Sequence, residues 1–391
     1  MSGVAGVTAM TRAAATRGRR RVPLVLAAVL CLLGLGPFGS PGPAAAAAAR
    51  APLLAYYYQW FDPSSWQRAK TDYPKLGRYS SDDPAVIRTH ISWAKSAGID
   101  GFVVSWKSGT VNDRRLDLLL DRARAQDFKV AVIYQGLDFH RRPLPPDRVA
   151  RDFRLLRDRY ARDPAFFRLG GKPLTLFSGT WEYSTADIAR ITGPVRGRML
   201  VLGTEKNPAG VRRLAAVTDG DAYYWSSVNP DTNDRHTAKL REMARTVRAS
   251  ERHYWMAPFA PGFDARLVGG TREVPRQGGR TMTSEYEAAV ASRPDVLGLI
   301  SWNEFSENSH VEPSVDHGTQ ALDTLRRLRG LPAAPDPAVP GADHRAPRQG
   351  PVFWPNVLRM AGAAALLVGA VTVLAGRSRR SAGARERETR T

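Results

Sequence analysis

The stretch Ile300-Ser301-Trp302-Asn303-Glu304-Phe305-Ser306-Glu307-Asn308-Ser309-His310-Val311-Glu312-Pro313 concentrates side chains that can do chemistry. Two carboxylates, Glu304 and Glu307, stand three residues apart beside aromatics and an amide. A retaining glycosidase holds its two carboxyl groups about 5–5.5 Å apart. If the two glutamates continue into a helical turn, their Cβ atoms fall about 5–6 Å apart, which suits that geometry. The same spacing also describes a solvated helix N-terminus, where acids are favoured. What precedes the stretch is apolar, residues 296–300. A buried strand that turns polar at its C-terminal tip is how a barrel strand reaches an active site.

Elements able to position such a tip repeat along the chain. Strand-like runs at 53–60, 101–106, 129–135, 173–178, 199–203, 222–226, 254–259 and 296–302 alternate with helix-like runs. The helical runs fall at 83–97, 113–126, 146–160, 185–191, 211–217, 238–249, 284–292 and 319–328. Asp82 or Asp83 caps the first, with Pro84 in its first turn. Alternating strands and helices imply a parallel sheet. Eight repeats within residues 51–330 are the size of a (β/α)8 TIM barrel. An open doubly wound sheet would require a glycine-rich phosphate loop after the first strand, and Tyr58-Gln59-Trp60-Phe61-Asp62 offers none.

The strand ends share a chemistry. They present Tyr58 and Trp60, Ser105 and Trp106, Tyr134 and Gln135, Glu205, Tyr224 and Trp225, then Trp302, Asn303 and Glu304. Rings stack on the apolar faces of a sugar while amides and carboxylates fix its hydroxyls. Any single aromatic here also reads as barrel packing; their repetition at strand ends favours a carbohydrate site. Six of the seven histidines, His90, His140, His236, His253, His310 and His317, fall in the domain and show no ligand spacing on one element, so no metal and no cofactor are expected.

The formal net charge is +20. Residues 1–50 carry six arginines and no acid, and residues 351–391 carry seven arginines against two glutamates, so the ends account for +11 of it. That distribution argues against nucleic acid as the partner. A basic run ending in Arg21, an apolar run 22–36 and small residues to Ala49 read as a secretory signal with its cleavage region, 1–50. The single cysteine, Cys31, lies inside it and lacks the small preceding residue of a lipoprotein signal, so a mature chain would hold no disulfide. Residues 331–352 read as a flexible Pro/Ala-rich linker. Residues 353–376 read as a transmembrane helix, flanked by Phe353 and Trp354 on one side and by Arg377, Arg379 and Arg380 on the other. The tail 377–391 is then cytoplasmic, and the domain 51–330 sits outside the cell membrane.

Several ordered segments resemble the family 99 glycoside hydrolases, the endo-α-1,2-mannosidases and endo-α-mannanases. They are Tyr56-Tyr57-Tyr58-Gln59-Trp60-Phe61; Leu76-Gly77-Arg78-Tyr79-Ser80-Ser81-Asp82-Asp83-Pro84 with Ile87 and His90; Ala97-Gly98-Ile99-Asp100-Gly101-Phe102-Val103-Val104-Ser105-Trp106; Ala260-Pro261-Gly262-Phe263-Asp264; and Trp302-Asn303-Glu304-Phe305-Ser306-Glu307 with Glu312. The resemblance implies a retaining enzyme that cleaves inside α-mannose-containing oligo- or polysaccharides through a 1,2-anhydro sugar, without a cofactor. It implies Glu304 as the base toward the sugar 2-hydroxyl and Glu307, its pKa raised, as the acid on the leaving oxygen. Tyr58, Trp60, Trp106, Gln135, Tyr224, Trp302, Asn303 and Glu312 are the expected substrate-binding residues. The signature departs from the family at Phe305, Ser306, Asn308, Ser309 and His310, which leaves the substrate open. A polysaccharide-remodelling transferase and a non-catalytic glycan-binding envelope protein remain the alternatives.

Overall fold

Residues that alternate along the strand-like runs go to two different layers. The protein's structure, a computed structural model, describes residues 51–335. The expected signal segment, most of the linker, the transmembrane segment and the basic tail lie outside the described residues. Among the described residues, no helix is long and apolar enough to cross a membrane.

The strands are β1 (Leu53–Tyr57), β2 (Gly101–Trp106), β3 (Lys129–Gln135), β4 (Lys172–Ser178), β5 (Leu200–Leu202), β6 (Gly220–Ala222), β7 (Tyr254–Phe259) and β8 (Val296–Leu299). They pair in parallel in the order β6-β7-β8-β1-β2-β3-β4-β5. The remaining seam closes through a parallel bridge between Gly203 and Asp221. There the Gly203 N–H donates to the Gly220 carbonyl at 3.0 Å, and the Ala222 N–H donates to the Gly203 carbonyl at 2.8 Å. The expected (β/α)8 barrel is therefore what forms.

Eight helices cover it: α1 (Pro84–Ser96), α2 (Thr110–Ala125), α3 (Pro146–Leu155), α4 (Thr185–Thr192), α5 (Pro208–Leu214), α6 (His236–Arg248), α7 (Arg280–Ala291) and α8 (Gln320–Leu328). Asp83 caps α1 by accepting from the Ala85 N–H at 2.7 Å, while Asp82 instead pairs with Arg114 and Arg115.

One apolar cluster is built almost wholly from strand residues, including Leu54, Tyr56, Val103, Ala131, Ile133, Leu174, Leu176 and Met256, and so fills the barrel interior. The other mixes strand residues of opposite parity, such as Leu53, Tyr57, Val104, Trp106 and Tyr134, with helix residues such as Ile91, Leu116 and Leu119. Each such side chain stabilises the fold by about 1.5–3 kcal/mol when fully buried.

Several boundaries differ from the expected ones. β1 stops at Tyr57, β8 at Leu299, and α2 begins at Thr110, because Asp113 sits inside its first turn, accepting from the Trp106 indole and the Ser108 hydroxyl. β6 is Gly220–Ala222, so Tyr224 and Trp225 belong to the following loop. Tyrosine and tryptophan favour strands, but β5 has already ended at Leu202, so beyond Ala222 a strand would have β7 on one side only.

Gly220 sits at the closing seam with φ +135, and a Cβ there would lie 2.0 Å from the Tyr254 carbonyl oxygen. Left-handed strain and overpacking add up to about 2–6 kcal/mol. Gly220→Ala should lower the denaturant midpoint accordingly. An unchanged midpoint would mean that the seam is not tightly closed.

Candidate active site

Two strand ends meet where the chemistry begins. The Trp302 N–H donates to the Tyr56 carbonyl at 2.7 Å, continuing β8 against β1 past its last regular pair. The Asn303 side chain then takes over the role of a strand neighbour. Its Oδ1 accepts from the Tyr58 N–H at 2.8 Å, and its Nδ2 donates to the Tyr58 carbonyl at 3.0 Å and to the Tyr79 hydroxyl at 3.3 Å. Asn303 is fully buried, so it holds Tyr58 rather than facing the site.

The chain next turns instead of continuing as a helix. Residues 305–308 form a turn in which Asn308 takes φ +48 and the Ser309 N–H reaches the Glu304 carbonyl at 3.2 Å. The Ser301 hydroxyl accepts from the Glu304 N–H at 2.9 Å, and the Glu304 carboxylate accepts from the Ser306 N–H at 3.0 Å. On the far side, the Glu307 carbonyl accepts from the Asp264 N–H at 2.7 Å. Both glutamates are therefore presented by one turn pinned at each end.

The site is electrostatically unusual. Burial pushes the Glu304 carboxyl from its ordinary 4.5 up to about 8, with the Glu307 charge adding to it and the Ser306 N–H and Lys70 opposing. Burial also raises Glu307, to about 6, against the pull of Arg141. Both carboxyls therefore bind protons more tightly than an ordinary glutamate, with the Glu307 charge adding to the rise at Glu304 and Arg141 offsetting part of it at Glu307. Burial lowers Lys70 to about 8, although the Glu304 charge holds it up. The Tyr58 hydroxyl is raised by burial, by Tyr224 and by both glutamates, so it lies within range of both.

Tyr58, Tyr224 and Trp60 come together with the pair. The Tyr58 and Tyr224 hydroxyls are hydrogen-bonded. Trp60 stacks on the Tyr58 ring at 4.3 Å and is 40% exposed, leaving an open aromatic face at the rim. Gln135 lies at the inward parity of β3 and donates to the Ser105 hydroxyl at 3.0 Å. Three expected contacts are corrected. Trp106 has the outward parity of β2, is buried among Tyr134 and Tyr160, and donates its indole N–H to Asp113 at 2.9 Å. Trp302 is buried against His90 and Phe102. Glu312 is buried behind Asn303, accepting from the Tyr79 hydroxyl at 2.9 Å with His90 Nε2 3.1 Å away. None of the three offers surface to a ligand. Glu205 is buried too, its carboxylate 3.1 Å from Arg213. Sequence reasoning missed Lys70 and Arg141. Arg141 sits in the basic run after β3, a weak signal, and nothing in the sequence singles out Lys70.

The fold also gathers Asp72, His310 and His317, whose ligand atoms lie within 4.8 Å of one another. Arg276 Nη2 lies 3.4 Å from His310 Nδ1, which leaves Nε2–H to donate to Asp72 at 3.2 Å. A ligating histidine would instead need a free Nε2 and a donating Nδ1–H. The cluster is an Arg–His–Asp brace under the signature loop.

Residues 53–207 match the model of Glycosyl hydrolase family 99. Glycoprotein endo-alpha-1,2-mannosidase of Xenopus laevis is 25% identical over 286 residues, 64% of this chain and 60% of that protein. The protein of that name from Mus musculus is 32% identical over 278 residues, 63% of this chain and 57% of its own. The GH99 endo-alpha-mannosidase structure from Bacteroides thetaiotaomicron superposes with a TM-score of 0.61 at 23% identity, over 71% of this chain and 98% of that one. These matches support a family 99 or related protein. It spans about three fifths of the length of the curated relatives it matches.

Of the departures from the family 99 signature, Phe305 and His310 face away from the carboxylates, whereas Ser306 bonds the Glu304 carboxylate through its N–H and its side chain. Phe305 is fully buried, stacked on His310 at 4.1 Å and edge-on to Trp66 at 5.7 Å. The Asn308 carbonyl and side chain accept from Arg276 at 3.0 and 3.1 Å. Phe305 and His310 are therefore packing beneath the turn.

Because both carboxyls bind protons more tightly folded than unfolded, their contribution to stability is full below about pH 4.5 and is lost as pH rises through 6 and 8. Glu304→Gln removes one buried ionisation and should therefore melt higher than the native protein at pH 8.5, by about 2–4 °C for each 1 kcal/mol relieved. The difference should vanish near pH 4.5. A variant that melts lower at pH 8.5 would contradict the raised pKa.

Proposed function

We propose that this chain is a glycoside hydrolase that cleaves internal α-mannosidic bonds with retention of configuration. The observation that carries the reading is a buried pair of carboxylates on one pinned turn, beside an open aromatic face. The mannosidase names of its relatives supply the sugar. In an α-mannoside the 2-hydroxyl is trans to the leaving oxygen, so O2 can attack C1 from behind. Glu304 takes the O2 proton as the C1–O2 bond forms, and Glu307 protonates the departing oxygen as the glycosidic bond breaks. Water then attacks C1 of the 1,2-anhydro sugar, giving its proton to Glu307 while Glu304 returns its proton to O2. Two inversions leave net retention.

This route requires Glu304 ionised and Glu307 protonated, whereas burial raises both carboxyls. A sugar 2-hydroxyl donating to Glu304 favours its carboxylate form, leaving the proton on Glu307. Substrate binding itself sets the reactive protonation state. Tyr58, Trp60, Gln135 and Tyr224 are the residues we assign to the sugar, and Asn303 positions them through Tyr58. We further infer extracytoplasmic placement, with a membrane anchor at 353–376, supported by the uncharged run 360–376 and the arginines that follow it.

The test is to incubate the full-length protein with α-1,2-, α-1,3- and α-1,6-linked manno-oligosaccharides and follow products by mass and anomeric NMR. Internal cleavage releasing the α-anomer is expected for one linkage. Glu304→Gln and Glu307→Gln should each lose about 10²–10⁴-fold in rate. On an α-mannobiosyl fluoride, whose leaving group needs no proton, Glu307→Gln should still release a burst of fluoride and Glu304→Gln should not. Equal losses of both variants on the fluoride would remove the assigned roles. Longer transfer products without net hydrolysis would point to a transferase, and saturable binding without products to a non-catalytic glycan binder.

A further inference from the structure

The loops after β5, β6 and β7 enclose a cavity of about 440 Å³ that neither Glu304 nor Glu307 lines. Its wall carries three cations, Lys206, Lys239 and Arg272, against a single acid, Glu273. Glu273 is already engaged by Arg266 at 2.8 Å. Glu182 and Glu205 act on Lys206 through charge alone, and the direct contacts of the three cations are all with uncharged groups. Lys206 lies over the Trp181 ring at 4.1 Å, and Lys239 donates to the Tyr223 hydroxyl at 2.8 Å. Arg272 donates to the Ser227 carbonyl at 3.3 Å. None of these partners is a carboxylate.

Two further facts bear on an occupant. His236 lines the cavity and is buried, and its Nε2 has no hydrogen-bond partner among the described residues. Burial holds it neutral, at about 4, so its ring can donate one hydrogen bond. Burial also lowers both lysines, and an anion placed between them would offset that penalty.

The cavity adjoins the carboxylate turn through two shared walls. Tyr223 and Trp225 line it, and Tyr224 between them is hydrogen-bonded to Tyr58. The hairpin strand Glu273–Val274 pairs with Phe263–Asp264, and the Asp264 N–H holds the Glu307 carbonyl. The cavity and the carboxylate turn thus share the loop that carries Tyr224 and the hairpin that holds Glu307.

We infer that this cavity takes an anionic group, a phosphate or a carboxylate, carried by the glycan on which the glutamate pair acts. The identity of the carrier rests on the hydrolase reading; the anion site stands on its own residues. Uncharged polar and aromatic walls would suffice for a neutral mannoside, and three cations with one engaged acid exceed that need.

The experiment is calorimetric titration of the full-length protein with three ligands on one ring: methyl α-mannoside, its 6-phosphate and the corresponding 6-carboxylate. One of the anionic ligands should bind at least about tenfold tighter than the neutral one, and which of the two does so separates a phosphate from a carboxylate. Lys206→Met and Arg272→Met should each remove about tenfold of that preference, since each deletes a charge-assisted contact. Lys206→Arg should keep it, with an unchanged melting temperature as the folding control. Equal affinity for all three ligands, or a preference that survives in both methionine variants, would overturn the inference. Cleavage of neutral manno-oligosaccharides by the native protein is read separately. A preference for the anion without any cleavage would sink the hydrolase reading and leave the anion site standing.

Discussion

The Asn303 carboxamide is the contact on which the rest depends, because it fixes Tyr58 where neither β1 nor β8 any longer has a regular partner. It donates to and accepts from the Tyr58 main chain and so ties residues 245 positions apart in sequence. Behind it, Tyr79, Glu312, His90 and Tyr57 form a buried polar chain, each within 3.3 Å of the next. A buried amide with three satisfied hydrogen bonds is rigid, and loss of one partner strands the others. The residues of the family resemblance that do not touch the site thus hold it.

Much of this was legible before any coordinates. Eight alternations implied a closed parallel barrel, and β2, β3 and β7 fall where the apolar runs begin and end. The period of two along a strand sorts side chains as well. Tyr56 fills the barrel, so Tyr58 points the same way; Ile133 fills it, so Gln135 does; Trp106 must then face the helices with Val104. That rule fails at Trp302, which lies two residues beyond the inward Ile300 yet packs outward, because the chain leaves the strand after Leu299. It fails again at Tyr224, where aromatic composition suggests a strand but the chain leaves the sheet after Ala222. Lys70 and Arg141 were illegible for a different reason. Their influence on the glutamates is a matter of distance across loops, which spacing along one chain does not encode.

The two carboxylates also explain why the surrounding charge is arranged as it is. Burying two acids on one turn is unfavourable, and each would take up a proton if left alone. Lys70 near Glu304 and Arg141 near Glu307 pull against burial, so neither carboxyl is raised as far as burial alone would take it.

The signature departures acquire a physical reading from the same geometry. Phe305 and His310 stack on each other beneath the turn, and Arg276 with Asp72 clamps His310 from either side. Together they form a compact support in which aromatic contact and charge fix the turn from below. Because these residues face away from the carboxylates, their replacement changes how the turn is held and leaves the reacting groups in place. On the proposed reading, substrate preference is set by groups that reach the opening, the rim aromatic Trp60 and the loops after β5, β6 and β7. The barrel and the carboxylate turn fix the two acids, while the loops around them carry the groups that can meet a ligand.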